Sequence, residues 1–213
     1  MNFSNTIEEM LVRGTSYDLR YATAADADAL FALGTDPEVT RFFSWGPYTS
    51  IEEPAVYIAG LAGERARGER LDFVIVDHDD RVLGVTGLSE FNWRDRRAVV
   101  GTWLGRAFWG TGINRAAKAM IAAVAFRALG LERLGAYADP ENPRSQAALT
   151  RIGFQREGVL RHWHRHGEVV HDVITYSWLK PEWERSDLAG EEVGIVGALP
   201  ATFPCVSSVA APS

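Results

Sequence analysis

Apolar and polar positions follow two periods along this chain, and the changes of period mark its elements. Thr6 to Leu11 predicts a short helical lead-in. Tyr17-Asp18-Leu19-Arg20-Tyr21 alternates, which predicts a strand. Thr23 then precedes an Ala-rich run through Phe31 with acids in its first turn, the signature of a helix start. Thr49-Ser50-Ile51-Glu52-Glu53 resembles a capping box that opens a second helix reaching about Arg67. Between these helices Phe42, Phe43, Trp45 and Tyr48 surround Gly46-Pro47. An aromatic loop of this kind is either core or the wall of a pocket.

From Leu71 the period is that of strands. Leu71–Val76, Arg81–Leu88 (running on toward Trp93) and Ala98–Leu104 are separated by Asp77–Asp80 and Arg94–Arg96 as turns, an antiparallel meander. A Gly-rich loop, Gly105 to Gly112, leads into a strong helix from Ile113 to Leu129, ended by Gly130. Leu134–Ala138 is another strand, and Pro143–Ile152 a short helix. Val159–Arg165 and His171–Leu179 form a closing hairpin around His166-Gly167. The order predicts an α+β class with a mixed sheet. We divide the chain into a lead-in, 1–15, one domain, 16–185, and a C-terminal appendage, 186–213, where charges thin out and no period holds.

Composition narrows the function classes. The 213 residues are 46% hydrophobic with a net charge of -6, so a sizeable core is expected and whole-chain attraction to nucleic acid is not. The single cysteine, Cys205, excludes an internal disulfide and a zinc ribbon. No apolar run approaches the ~20 residues of a membrane span, and Met1 to Arg13 lacks a signal-peptide core. A soluble, cytoplasmic protein, monomer or homodimer, is the expectation.

Two segments carry chemistry. In Trp103 to Lys118, Gly110 and Gly112 let backbone N–H groups approach an anion without interference from a Cβ. The following helix adds its positive end. Thr111 and Gly112 stand where a P-loop needs Lys and Ser/Thr, and the third glycine of a dinucleotide loop is missing. A plain tight turn remains the other reading. In Asn142 to Phe154, Asn142 caps a helix, Pro143 takes its first position and Gly153 ends it.

Together these segments resemble the GNAT acetyltransferase superfamily. The run Gly110-Thr111-Gly112-Ile113-Asn114 through Lys118, followed by Asn142-x-x-Ser145-Gln146-Ala147-Ala148-Leu149 through Phe154, is similar to its RimJ/RimL-type branch of ribosomal-protein N-terminal acetyltransferases. The resemblance covers about Tyr17 to Trp183. It implies a mostly antiparallel sheet of about seven strands flanked by helices. Two neighbouring parallel strands, Val99–Leu104 and Leu134–Ala138, would splay to admit acetyl-CoA as co-substrate. By the same resemblance the pantetheine arm would pair with backbone at Trp103 and Leu104, and the pyrophosphate would rest on amides of Trp109, Gly110, Thr111, Gly112, Ile113 and Asn114. Asn142 would bond the pantetheine. Ser145 would protonate the leaving thiolate, and backbone at Leu104 would stabilise the oxyanion. No metal is implied, although His162, His164 and His166 alternate on one strand.

The chain departs from the superfamily's patterns at three places. Ala107 replaces a common Gln or Arg, Leu149 a Tyr acid of other branches, and Val99-Val100 a Glu. The general base is therefore open; Glu90 is the candidate, a solvated strand-end acid the plainer reading. A site without an evident base suits amines of low pKa, such as α-amines at ~7.7–8.0. The expected activity is acetyl transfer to a primary amine, either a protein N-terminus or a small molecule. The alternative is an idle acyl-CoA-binding module.

Overall fold

The computed structural model describes residues 10–203. Cys205 and most of the expected helical lead-in lie outside them; the lead-in's last residue, Leu11, instead begins a strand.

In chain order, β1 (Leu11–Arg13) and β2 (Asp18–Arg20) form a small hairpin. Helices α1 (Ala27–Gly34), α2 (Pro37–Thr40) and α3 (Glu52–Ala66) follow. The expected box at α3 forms: the Glu53 carboxylate accepts the Thr49 and Ser50 N–H groups at 2.7 and 3.0 Å. The meander β3 (Arg70–Val76), β4 (Val82–Asn92) and β5 (Arg97–Leu104) comes next. Helix α4 (Ile113–Ala123), extended by a wider turn through Ala128, crosses over to β6 (Arg133–Ala138). Helix α5 (Pro143–Ile152), the hairpin β7 (Gln155–His166) and β8 (Val169–Leu179), α6 (Lys180–Glu184) and β9 (Gly194–Val196) complete the chain.

The nine strands among the described residues join one sheet in the order β7-β8-β6-β5-β4-β3-β2-β1-β9. The α+β class is as expected, with β1 and β9 as additional strands. β9 pairs with β1, and Phe203 is buried against Phe91 and Trp93, so the described part of 186–213 packs on the sheet.

One core lies between the sheet and α4 with α5. Residues Ala117 to Phe126 are buried without a break, and five alanines among them let the helix approach the strands closely. The smaller core, around Leu30, Ile58, Val74 and Val85, lies between α1, α3 and the opposite face.

β5 and β6 are the parallel pair, and they separate. Arg97, Ala98 and Val99 register with Arg133, Leu134 and Gly135, and pairing stops there, although β5 runs on to Leu104 and β6 to Ala138. A cleft therefore opens beyond Val99, its edges carrying backbone groups that need partners.

Candidate active site

The Gly-rich loop lies at the mouth of this cleft. Gly110 and Gly112 hold φ of +76° and +91°, a conformation that costs other residues about 1–2 kcal/mol. A Cβ on either would meet open space, so backbone conformation rather than crowding demands glycine. The Trp109 amide, expected in the cradle, is already bonded to the Arg106 carbonyl at 3.2 Å. The amides of Gly110 to Asn114 donate to nothing among the described residues. They stand at the positive end of α4, where free amides can donate to an anion.

Trp109 acts as a strut instead. Its indole donates to the Leu104 carbonyl at 3.0 Å, and the Arg144 guanidinium lies 3.1 Å over its ring. The start of α5 is thereby tied to the loop. At that start the Asn142 carboxamide oxygen accepts the Ser145 N–H at 3.0 Å, leaving the carboxamide NH₂ as a donor. Ser145 is half-buried in the first turn, and Leu149 is buried one turn on. Ser145 and Asn142 thus sit on the helix that follows β6, one wall of the cleft.

On the opposite face of the sheet a cavity of about 590 Å³ extends across β3, β4 and β5. The aromatic loop is its wall: Phe43, Trp45 and Tyr48 stack at 5.2 and 5.1 Å, and Trp45 meets Trp103 edge-on at 5.1 Å. Glu90 lines the cavity at a bulge in β4, with φ +51°. That bulge turns its carboxylate toward Tyr137 of β6, whose hydroxyl donates to it at 3.2 Å. Burial first, and Glu90 second, hold the Tyr137 hydroxyl above its ordinary pKa, so it stays a donor.

The far end of the cavity carries His164, His166 and His171. His166 and His171 lie 4.4 Å apart, and His171 is 3.7 Å from Asp139. Burial, then the His171 and His164 imidazoles, hold His166 below the ordinary imidazole range, which keeps it neutral at pH 7. His162 departs from the expected alternation. β7 breaks register between Leu160 and His164, and His162 is exposed at φ +53° with its N–H on Asp172. Among the described residues no His, Cys, Asp and Glu cluster is arranged to hold a metal.

The sequence does not single out Tyr137, the Tyr57 hydroxyl that donates to Asp72 at 2.7 Å in the cavity, or the role of Lys118. Lys118, within the Gly-loop motif, is 4% exposed, and its ammonium donates to Thr102 on β5. Burial alone drives its pKa down to about 7. Its one available signal was a charge on the buried stripe of an amphipathic helix.

The sheet splits beside the start of α4, and a cavity reaches the split from the other face. The Acetyltransferase (GNAT) domain family matches residues 18–155. The chain belongs to this family and is an acyltransferase. A Bacillus licheniformis protein described as an uncharacterized N-acetyltransferase, p20, is 32% identical over 166 residues, 78% of this chain and 93% of its own length. Mycobacterium smegmatis RimJ, solved in complex with CoA-disulfide, superposes with a TM-score of 0.73 at 25% identity, covering 85% of this chain and 92% of that one. RimL, a ribosomal L7/L12 α-N-protein acetyltransferase solved with coenzyme A, has a TM-score of 0.69 at 24% identity over 78% of this chain and 94% of its own, a likeness of fold.

Among the described residues no helix is long and apolar enough to cross a membrane.

Proposed function

We propose that this protein transfers an acetyl group from acetyl-CoA directly to a primary amine held in the cavity of β3, β4 and β5. The row of undonated amides from Gly110 to Asn114, at the mouth of the β5–β6 opening, carries this reading. Acetyl-CoA supplies an activated acyl carbonyl and a thiolate leaving group. The amides would take its pyrophosphate, the opened edge of β5 at Trp103 and Leu104 its pantetheine, and the Asn142 NH₂ a pantetheine carbonyl.

The amine enters from the aromatic side and must be neutral to attack. Glu90 faces the opening and accepts its proton, directly or through water, with Tyr137 orienting the carboxylate. An N–H of β5 near Leu104 would receive the oxyanion, a contact worth roughly 3–4 kcal/mol in other enzymes. The C–N bond forms, the C–S bond breaks, and the Ser145 hydroxyl gives its proton to the thiolate while taking one from solvent.

The test is thiol release from acetyl-CoA with a panel of amines and N-terminal peptides. Release that depends on an amine supports transfer; CoA binding without release leaves the idle module. Ser145→Ala is expected to slow turnover about a hundredfold or more with CoA affinity nearly kept. Full turnover in that variant removes Ser145 from the mechanism.

A further inference from the structure

The cavity floor is bare at its middle. Gly87 of β4 and Gly101 of β5 face each other in register, and a Cβ on Gly101 would meet nothing within 4 Å. A Cβ on Gly87 would fall 1.9 Å from Asp72 Oδ1. The Asp72 carboxylate therefore reaches from β3 sideways over the backbone of Gly87.

Asp72 is 8% exposed, and both of its hydrogen bonds land on one oxygen. Tyr57 donates to Oδ2 at 2.7 Å and Arg70 to the same atom at 3.4 Å. Oδ1 takes no hydrogen bond among the described residues. Arg70 sits on the Oδ2 side and is shared with Glu64 at 3.2 Å. Trp45, Tyr48 and Trp103 line the same cavity as Asp72, their rings packed together as one wall. The negative faces of aromatic rings and a desolvated carboxylate oxygen both favour a cation and disfavour an anion. Four carboxylate residues line the cavity against one guanidinium, that of Arg70.

We infer that Asp72 Oδ1 and the Trp45–Trp103 wall hold a second, unreactive cationic group of the acceptor, which makes the substrate class a small amine carrying another positive charge. The inference rests on the transfer reading above. β3 and β5 are two strand spacings apart, about 10 Å, so one end of an extended diamine can rest on Asp72 while the other lies at the opening of β5. Only the reacting nitrogen changes. It gains the acetyl carbon as the C–S bond breaks and loses its proton through Glu90 to solvent, while the second ammonium keeps its protons.

The experiment compares kcat/KM, by thiol release from acetyl-CoA, for 1,5-diaminopentane, 1-aminopentane and an unblocked peptide with neutral side chains. In the unaltered protein the diamine is expected to exceed both others at least tenfold beyond its twofold statistical advantage. Asp72→Asn should bring the diamine-to-monoamine ratio at least tenfold closer to the statistical value, with stabilisation by CoA showing that the variant is folded. Equal rates for diamine and monoamine, a preference for the peptide, or a ratio unmoved by Asp72→Asn each overturn the cation subsite while acetyl transfer stands. CoA binding with no thiol release from any amine overturns the transfer reading itself. The unaltered protein alone decides the matter if the variant does not fold.

Discussion

Gly112→Val is expected to abolish CoA binding, raising Kd more than a hundredfold, while the protein stays folded. Gly112 holds φ +91° at the end of α4 where the free amides converge. A Cβ there has no other heavy atom within 4 Å beyond its chain neighbours. It occupies the volume an approaching phosphate needs, and it pushes the loop out of the left-handed region that aims the amides. The strain costs about 1–2 kcal/mol of stability, well short of unfolding a domain with this core. Thermal unfolding with and without CoA reads both effects. At a hundred times its Kd, CoA should add about 2.7 kcal/mol to the unaltered protein and nothing to the variant. A variant stabilised as much as its parent would place the pyrophosphate elsewhere.

The second large effect is at Lys118, which Met should replace with a gain in stability. In the folded protein burial holds this ammonium at about 7, whereas an unfolded lysine titrates near ~10.4. Between these values the unfolded chain binds a proton that the folded chain does not, so stability rises with pH across that window. At or below pH 7 the cost of burial is fully present. Met fills similar volume without a charge, and the Thr102 hydroxyl keeps its bonds to the Gly101 carbonyl and Thr86 at 2.8 and 2.6 Å. Allowing for the lost lysine hydrogen bond, Lys118→Met is expected to gain roughly 2–4 kcal/mol at pH 7 and progressively less toward pH 10. Urea unfolding at pH 6, 7 and 9 measures this. A variant less stable than its parent at every pH would mean that the ammonium has a compensating partner.

These two residues differ in how far the sequence exposed them. Gly112 was legible because a glycine pair before a helix start is a local signal: φ and the orphan amides depend on neighbours in the chain. Asn142, Pro143 and Gly153 were legible for the same reason, and the structure gives Asn142 the cap and Gly153 a φ of +118°. Lys118 looked like any charge on a long helix until Thr102, sixteen residues back, was found above it.

The acceptor side was read least well. The aromatic loop could have been core, and only its position over β5 makes it a wall. Tyr137 was invisible because its partner, Glu90, is 47 residues away and reaches it through a bulge that alternation does not announce. His162 was placed on the wrong face by a similar break in register, since one extra residue reverses which side a chain presents.

The sequence by itself determined the order of the main elements from β2 to β8, the α+β class, the caps of α3 and α5 and the loop that opens α4, because periodicity and capping act over a few residues. Tertiary structure alone decided that β1 and β9 exist, since Leu11–Arg13 and Gly194–Val196, unlike β2, sit in no alternating run and are strands only where a partner completes their hydrogen bonds. It decided too that β5 and β6 part after Val99, and that Asp72 lies over Gly87, because both depend on which strands become neighbours and in what register.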